Sequence, residues 1–302
     1  MIESALLVGG AGFLGSHVAR RLVGRGLHVT VATRRRERAK HLILLPTVDV
    51  VEADVFDAAA LARLCVGQDA VVNLIGVLKG GNGQPYGDGF ARAHVDLAGR
   101  VARAAWLAGI PTLAHVSALK AAADAPSGYL RSKAAGETAV RTAFPEATIF
   151  RPSVVFGDGD SFLTMFARLL KYAPIVPLAS PDARFQPVWV GNVADAVVEA
   201  LVRPESAGRT FELCGPREYS LRELVEFTGR VTGRRRLVVG LPPALSWAQA
   251  AMLEAVGGPM TRDNLRSMSV PNVCETGCAL PFELAAAALE DVASSYLARP
   301  SR

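Results

Sequence analysis

The chain has 302 residues, half of them hydrophobic and a fifth charged, with a formal net charge of +5. Such a chain buries a full core, as one large domain or a domain with a lobe, which excludes disorder outside its last few residues. The charge suits an anionic cofactor, an acidic partner or a membrane surface, and is too modest to argue for nucleic acid.

The first predicted element is a strand over Ala5–Val8. It runs into Gly9, Gly10, Ala11, Gly12, Phe13, Leu14 and Gly15 before helical spacing takes over at Ser16–Arg25. Gly10 is expected to permit the tight turn, Gly12 to leave room for a pyrophosphate, and Gly15 to let the helix pack close to the strand. The phosphates of a dinucleotide then rest on unpaired N–H groups at the positive end of the helix. A second strand, His28–Ala32, enters Thr33, Arg34, Arg35 and Arg36 with no carboxylate at the turn. A carboxylate there accepts hydrogen bonds from the adenosine ribose, whereas guanidinium pairs with a 2′-phosphate. NADP(H) is therefore expected over NAD(H), with Arg34 and Arg35 as ligands; a solvated basic turn is the alternative. After the third strand, Val48–Glu52, Asp54 and Val55 are placed to meet the adenine, and a helix begins near Ala58. The fourth strand, Ala70–Leu74, brings Asn73, Leu74 and Gly76 beside the cofactor.

A helix over Ala91–Ala108 leads to the fifth strand, Leu113–Val116, which ends in Val116 and Ser117. The next helix, Tyr129–Phe144, sets Tyr129 and Lys133 one turn apart on one face. A free phenol titrates near ~10, too high for a base at neutral pH. The lysine and a positive nicotinamide ring are expected to lower it, and the lysine to hold the nicotinamide ribose. A sixth strand, Thr148–Arg151, completes an alternation that predicts an α/β fold: a doubly wound parallel sheet binding its ligand at the strand ends. Beyond Pro152 prolines recur; strands are expected at Gln186–Val190 and Arg209–Leu213, and helices at Asn192–Leu201 and Leu221–Val231. This gives a dinucleotide-binding domain over 1–152, with contributions from about 186–213, and a smaller intercalated lobe over 153–302.

Other features are read more plainly. Cys65, Cys214, Cys274 and Cys278 form no disulfide framework in a chain this long. Cys274 and Cys278 are loosely spaced for a metal knuckle and lack a second ligand pair, so no metal is expected. His115 reads as a core histidine, and His94 and Asp96 lack a third partner for a metal or triad. Leu241–Val256, with Trp247 and Met252, reads either as a packed lobe helix or as a contact for a membrane-associated partner or headgroup layer. With no basic segment ahead of an apolar one at the start, and no apolar run of spanning length, a soluble cytoplasmic protein is expected.

The glycine motif, the Tyr129/Lys133 pair, Arg151 to Gly157 and Cys214 to Pro216 fall in the order of the extended or atypical short-chain dehydrogenases/reductases, which the whole chain resembles. Four segments make it similar to the nucleotide-binding accessory subunit of respiratory complex I and its bacterial relatives: Gly9 to Gly15, His115 to Ala118, Arg184 to Val190 and Pro259 to Asp263. The resemblance implies a Rossmann fold, Tyr129, Lys133 and Ser117 as catalytic positions, and cofactor contacts from Arg151, Pro152, Ser153 and Val154. It also implies departures. The substrate-binding hydroxyl stands one position early, as Ser117 before Ala118, so strand alternation turns Ser117 away and Ala118 toward the pocket. Asp96 stands where many relatives carry an asparagine. The first reading is thus a protein whose dinucleotide is structural or regulatory, with weak or no turnover, associated with a respiratory complex or its assembly intermediates and peripheral to the inner membrane. The rival is an active NADP-dependent reductase or epimerase using Tyr129 and Lys133, with Ser117 reaching substrate.

Overall fold

The computed structural model describes residues 2–275 and 279–298. In chain order its first half comprises β1 (Ser4–Val8), α1 (Phe13–Gly24), β2 (His28–Thr33), β3 (Val48–Glu52), α2 (Ala58–Cys65) and β4 (Ala70–Asn73). A short turn, α3 (Asp88–Phe90), continues through a π segment at Ala91–Asp96 into α4 (Leu97–Leu107), followed by β5 (Thr112–Val116), α5 (Gly128–Ala143) and β6 (Thr148–Pro152). The second half comprises β7 (Val155–Phe156), α6 (Phe162–Tyr172), β8 (Ile175–Leu178), β9 (Arg184–Phe185), β10 (Val188–Trp189), α7 (Val190–Val202), β11 (Thr210–Leu213) and β12 (Tyr219–Ser220). It ends with α8 (Leu221–Val231), β13 (Leu237–Gly240), α9 (Pro243–Ala255), α10 (Arg262–Met268) and α11 (Leu289–Leu297).

Seven strands form one parallel sheet in the order β11-β6-β5-β4-β1-β2-β3, a Rossmann-type α/β arrangement. Order reverses between β1 and β4, so the crevice at their C-terminal ends is the place for a ligand. β1 shows why its run is uninterrupted: both faces are covered. Ala5 and Leu7 pack on Val18, Leu22, Val193 and Val197 from α1 and α7. Leu6 and Val8 pack on Leu61, Leu64, Leu97 and Val101 from α2 and α4. Helix starts follow local chemistry: Asp57 caps α2 by accepting from the N–H groups of Ala59 and Ala60, and Ser220 with Glu223 makes a capping box on α8.

Two expectations are corrected. The strand foreseen over Gln186–Val190 shrinks to β10, which pairs with β7, and α7 starts at once from Val190. The cysteines are not all unpaired: Cys214, just past β11, is disulfide-bonded to Cys274, 60 residues on. The pairing joins two loops that only the fold brings together, so spacing in the chain could not reveal it. Cys278 lies outside the described residues. No helix among the described residues is long and apolar enough to cross a membrane.

Candidate functional site

The opening turn carries its strain one residue earlier than the sequence suggests. Gly9 holds φ +89°, the left-handed conformation that glycine adopts freely, and Gly12 N–H closes the turn on Gly9 O at 3.1 Å. Gly10 is instead fixed by packing, since a Cβ there would lie 2.7 Å from Leu7 Cβ. Gly15 does what was expected: its Cβ would lie 2.5 Å from Gly10 Cα. α1 starts at Phe13 with no capping side chain, so its first N–H groups, from Phe13, Leu14 and Gly15, are free for an anion. The Phe13 ring itself lies edge-on to His17, and Leu14 packs into the core.

A groove of about 430 Å³ extends from this turn past Thr33, Arg34, Arg35 and Arg38 to Val55 and Ile75. Among the described residues no carboxylate lines it. Thr33 Oγ1 accepts from Arg35 N–H at 3.3 Å and donates to Arg35 O at 3.1 Å, which sets the turn bearing the arginines. Arg38, on the first turn after that loop, joins them and was not foreseen. The glycine cradle and the free helix terminus fit a nicotinamide dinucleotide.

Several predicted contacts are already committed elsewhere. Asp54 lies outside the groove, with its carboxylate accepting from Phe56 N–H at 3.1 Å, and neighbouring Val55 takes its place on the lining. Asn73 is buried; its Oδ1 accepts from Ile75 N–H at 3.2 Å and its Nδ2 donates to His115 Nδ1 at 3.1 Å. It shapes the loop after β4 rather than facing a ligand. Leu74 N–H donates to Val8 O in the sheet, leaving Ile75 as the groove residue. Gly76 faces Lys133, whose Nζ would lie 3.3 Å from a Cβ at that position. Arg151 forks onto the buried Glu137 carboxylate at 2.8 and 2.6 Å.

The Tyr129/Lys133 helix is anchored from three sides. Ser127 caps it at Leu130 N–H, and Asp263 on α10 accepts from Gly128 N–H at 2.8 Å and Tyr129 N–H at 3.0 Å. That carboxylate sits where the helix dipole favours negative charge. On the third side, Val77 N–H donates to His94 Nε2 at 3.0 Å, so Nδ1 carries the proton and donates to Ser132 Oγ at 2.8 Å. Ser132 Oγ in turn donates to Tyr129 O at 2.7 Å. His94 thus has the partners the sequence did not show, while Asp96 is exposed on the outer face of the same π segment.

Burial governs the titration of the pair. The Tyr129 phenol is pushed up to about 12, against the expected lowering, because no charge faces it strongly enough to offset desolvation. Lys133 falls to about 8 for the same reason, with Glu137 opposing, and its Nζ donates to Val116 O at 3.2 Å. His94 and His115 are lowered to about 3 by burial and by the Lys133 charge.

Ser117 differs from expectation. Ser117 N–H and Leu119 N–H go on donating to Phe150 O and Pro152 O beyond the end of β5, and Ser117 and Ala118 both line a cavity of about 380 Å³ with Tyr129, Pro152, Ser153 and Val154. Ser117 is 4% exposed and its hydroxyl has no hydrogen-bond partner among the described residues. Ser153 Oγ donates to Asn272 Oδ1 at 2.6 Å, which also accepts from Val154 N–H at 3.0 Å. A separate polar hollow of about 420 Å³ lies past α10, but its guanidinium groups are engaged: Arg131 by Pro85 O and Ala125 O, Arg262 by Glu254, and Arg266 by Asp263 and the Trp247 ring. The sequence singled out Pro259–Asp263 without assigning it work. Thr261 with Asn264 as a capping box was the local signal that a helix starts there, and the reach of Asp263 to Tyr129 had none.

Residues 5–214 match the NAD dependent epimerase/dehydratase family. The mouse protein NADH dehydrogenase (ubiquinone) 1 alpha subcomplex subunit 9, mitochondrial, is 35% identical over 244 residues, 79% of this chain and 63% of its own length. The chain thus spans less than two thirds of that relative. The ceramide reductase of Caulobacter vibrioides is 32% identical over 251 residues, 82% of this chain and 77% of its own. The UDP-glucuronic acid 4-epimerase of Bacillus cereus, solved with UDP-glucuronic acid and NAD, superposes with a TM-score of 0.73 at 16% identity over 97% of this chain and 98% of that one. That likeness speaks for the fold alone. With its sheet order, glycine turn and Tyr129/Lys133 helix, the chain belongs to the NAD dependent epimerase/dehydratase family.

Proposed function

We propose that the protein is an NADP(H)-dependent carbonyl reductase, with Tyr129 as proton donor, Ser117 as the second hydrogen-bond donor to the carbonyl oxygen and Lys133 on the nicotinamide ribose. The observation that carries this is the buried, unpartnered Ser117 hydroxyl sharing a cavity with Tyr129. A buried hydroxyl without a partner costs about 1–3 kcal/mol, which a substrate oxygen recovers. The dinucleotide, when bound, supplies the hydride. The Tyr129 phenol, held neutral by burial, keeps its proton at the cavity until an oxygen develops negative charge beside it. Ser117 Oγ donates to that oxygen, and the cationic Lys133 stabilises the phenolate left behind. The name of the ceramide reductase relative supports a reductive direction. NADPH consumption on a panel of ketones tests the reading, and no turnover with any of them would overturn it.

The arginine-lined groove supports NADP(H). Charge-assisted hydrogen bonds contribute about 1.5–3 kcal/mol each, so NADPH is expected to bind roughly 10–100-fold more tightly than NADH. Arg34→Ala should remove most of that difference in a calorimetric titration. Equal affinities in the parent protein would refute it.

A second reading keeps the dinucleotide as a structural element of an accessory protein in a respiratory complex, and is favoured by the mouse relative. α9 supports a peripheral position: Leu245, Trp247, Met252 and Val256 are exposed, and Arg266 stacks on Trp247. Leu245, Met252 and Val256 share one stripe, Trp247 with Arg266 stands on the other flank, and exposed apolar side chains with a cation suit an anionic headgroup layer. Co-sedimentation with phosphatidylglycerol vesicles is expected, weakened several-fold by Met252→Glu. Equal recovery of both proteins would refute the contact.

A further inference from the structure

We infer that the cavity above Tyr129 binds a long-chain carbonyl amphiphile, its oxygen at Ser117 and Tyr129 and its hydrocarbon chain along α6 and α10. This rests on the reading of Tyr129 and Ser117 as carbonyl ligands, and it names the substrate class of that same site. The lining includes Phe162, Phe166, Phe185, Val154, Met260 and Met268. Phenylalanine makes a stiff apolar wall, and methionine adapts to chains of variable shape. Among the described residues Lys120 is the one charged side chain on the lining, and Glu275 neutralises it at 2.9 Å. Two further polar side chains are spent on the protein: Asn272 on Ser153, and Asn264 on Thr261.

What remains unmatched is informative. Among the described residues Ser117 Oγ and Ser267 Oγ, both on residues of the lining, are buried without a partner. Two orphaned hydroxyls within apolar walls call for a ligand that is mostly hydrocarbon and carries a few hydrogen-bonding groups. A nucleotide sugar asks for the opposite: cations for its diphosphate and a polar surface for its base and hydroxyls. Among the described residues no arginine lines this cavity to supply the former. The exposed Leu78 lies on its lining, which gives the chain an apolar way in.

The test measures binding to the full-length protein loaded with NADP⁺, which carries no hydride to give, so occupancy is read without turnover. Methyl ketones from pentan-2-one to tridecan-2-one are titrated by calorimetry, with UDP-glucose as the polar comparison. Affinity should rise roughly fourfold per buried methylene until the cavity is filled. UDP-glucose should give no heat. Ser117→Ala should weaken every ketone several-fold and leave the dependence on chain length intact. Phe162→Ala, which removes a partly buried wall rather than a core residue, should flatten that dependence for the longest chains only. A flat series, or UDP-glucose binding more tightly than tridecan-2-one, overturns the assignment. Graded ketone binding without NADPH consumption would sink the reductase reading and keep the ligand class. Turnover confined to short polar carbonyls would do the reverse.

Discussion

Tyr129→Phe is expected to lower reductase turnover by about 10²–10⁴-fold while leaving NADPH affinity unchanged, because the phenol supplies a proton and contributes nothing to the groove where the coenzyme phosphates rest. Ser117→Ala should cost about 10²–10³-fold, the loss typical of one donor to a developing oxyanion. The two act on one oxygen, so the double variant should fall well short of the product of the single losses. Packing argues that Phe is tolerated at 129: the ring lies edge-on to His94 and Phe90 at 5.6 and 6.0 Å, contacts that a phenylalanine ring keeps. A phenol raised to about 12 stays protonated throughout the neutral range, so its own titration should not appear in the reductive pH profile. Lys133 sets the alkaline limit. It is cationic below about 8 and neutral above, so turnover should be level through the neutral range and decline beyond that pH. Undiminished turnover in Tyr129→Phe would remove the proton donor from the account.

How much of this was legible in the sequence depended on the range of the interaction. The opening strand, turn and helix could be read because every constraint lies within about ten residues, though the positive φ fell on Gly9 while Gly10 was held by Leu7 and Val31. The Tyr129/Lys133 pair is equally local. Strand alternation assigned the pocket to Ala118 alone, whereas Ser117 lines the cavity beside it. Arg151 and Asn73 looked available because their partners, Glu137 and His115, are set opposite them only by the fold. Asp263 stands 134 residues from Tyr129, and no local pattern announces a carboxylate that caps a distant helix. The same holds for Cys214 with Cys274. Local geometry was encoded locally; the side chains that complete the site were recruited by topology.

The second large effect concerns acid. His94 and His115 are held neutral in the folded protein, each lowered to about 3, while in the unfolded chain both titrate near their ordinary 6.5. Below 6.5 the unfolded state therefore binds more protons than the folded one, and stability must fall as pH falls. Their contribution is fully present above 6.5 and is lost progressively down to about 3. With both imidazoles charged in the unfolded state, the slope approaches two protons, about 2.7 kcal/mol per pH unit. Several kcal/mol is a large share of the stability of a typical domain, so urea unfolding is expected to shift steeply to lower midpoints between pH 6 and pH 4. Lys133 acts in the same sense at the other end: lowered to about 8 from 10.5, it adds stability as pH climbs between those values. The two effects push the stability optimum to the alkaline side. His115→Met should remove one of the two protons and halve the acid slope. His115 Nε2 has no partner among the described residues and its loss orphans only the Asn73 amide, so a folded variant is expected. His94→Gln is the harsher change, because it also releases Ser132 and Val77 from the helix that carries Tyr129. If His115→Met leaves the acid limb unaltered, carboxylates rather than this buried imidazole own it, and the neutral histidine pair beneath Lys133 would have no part in the pH response of the fold.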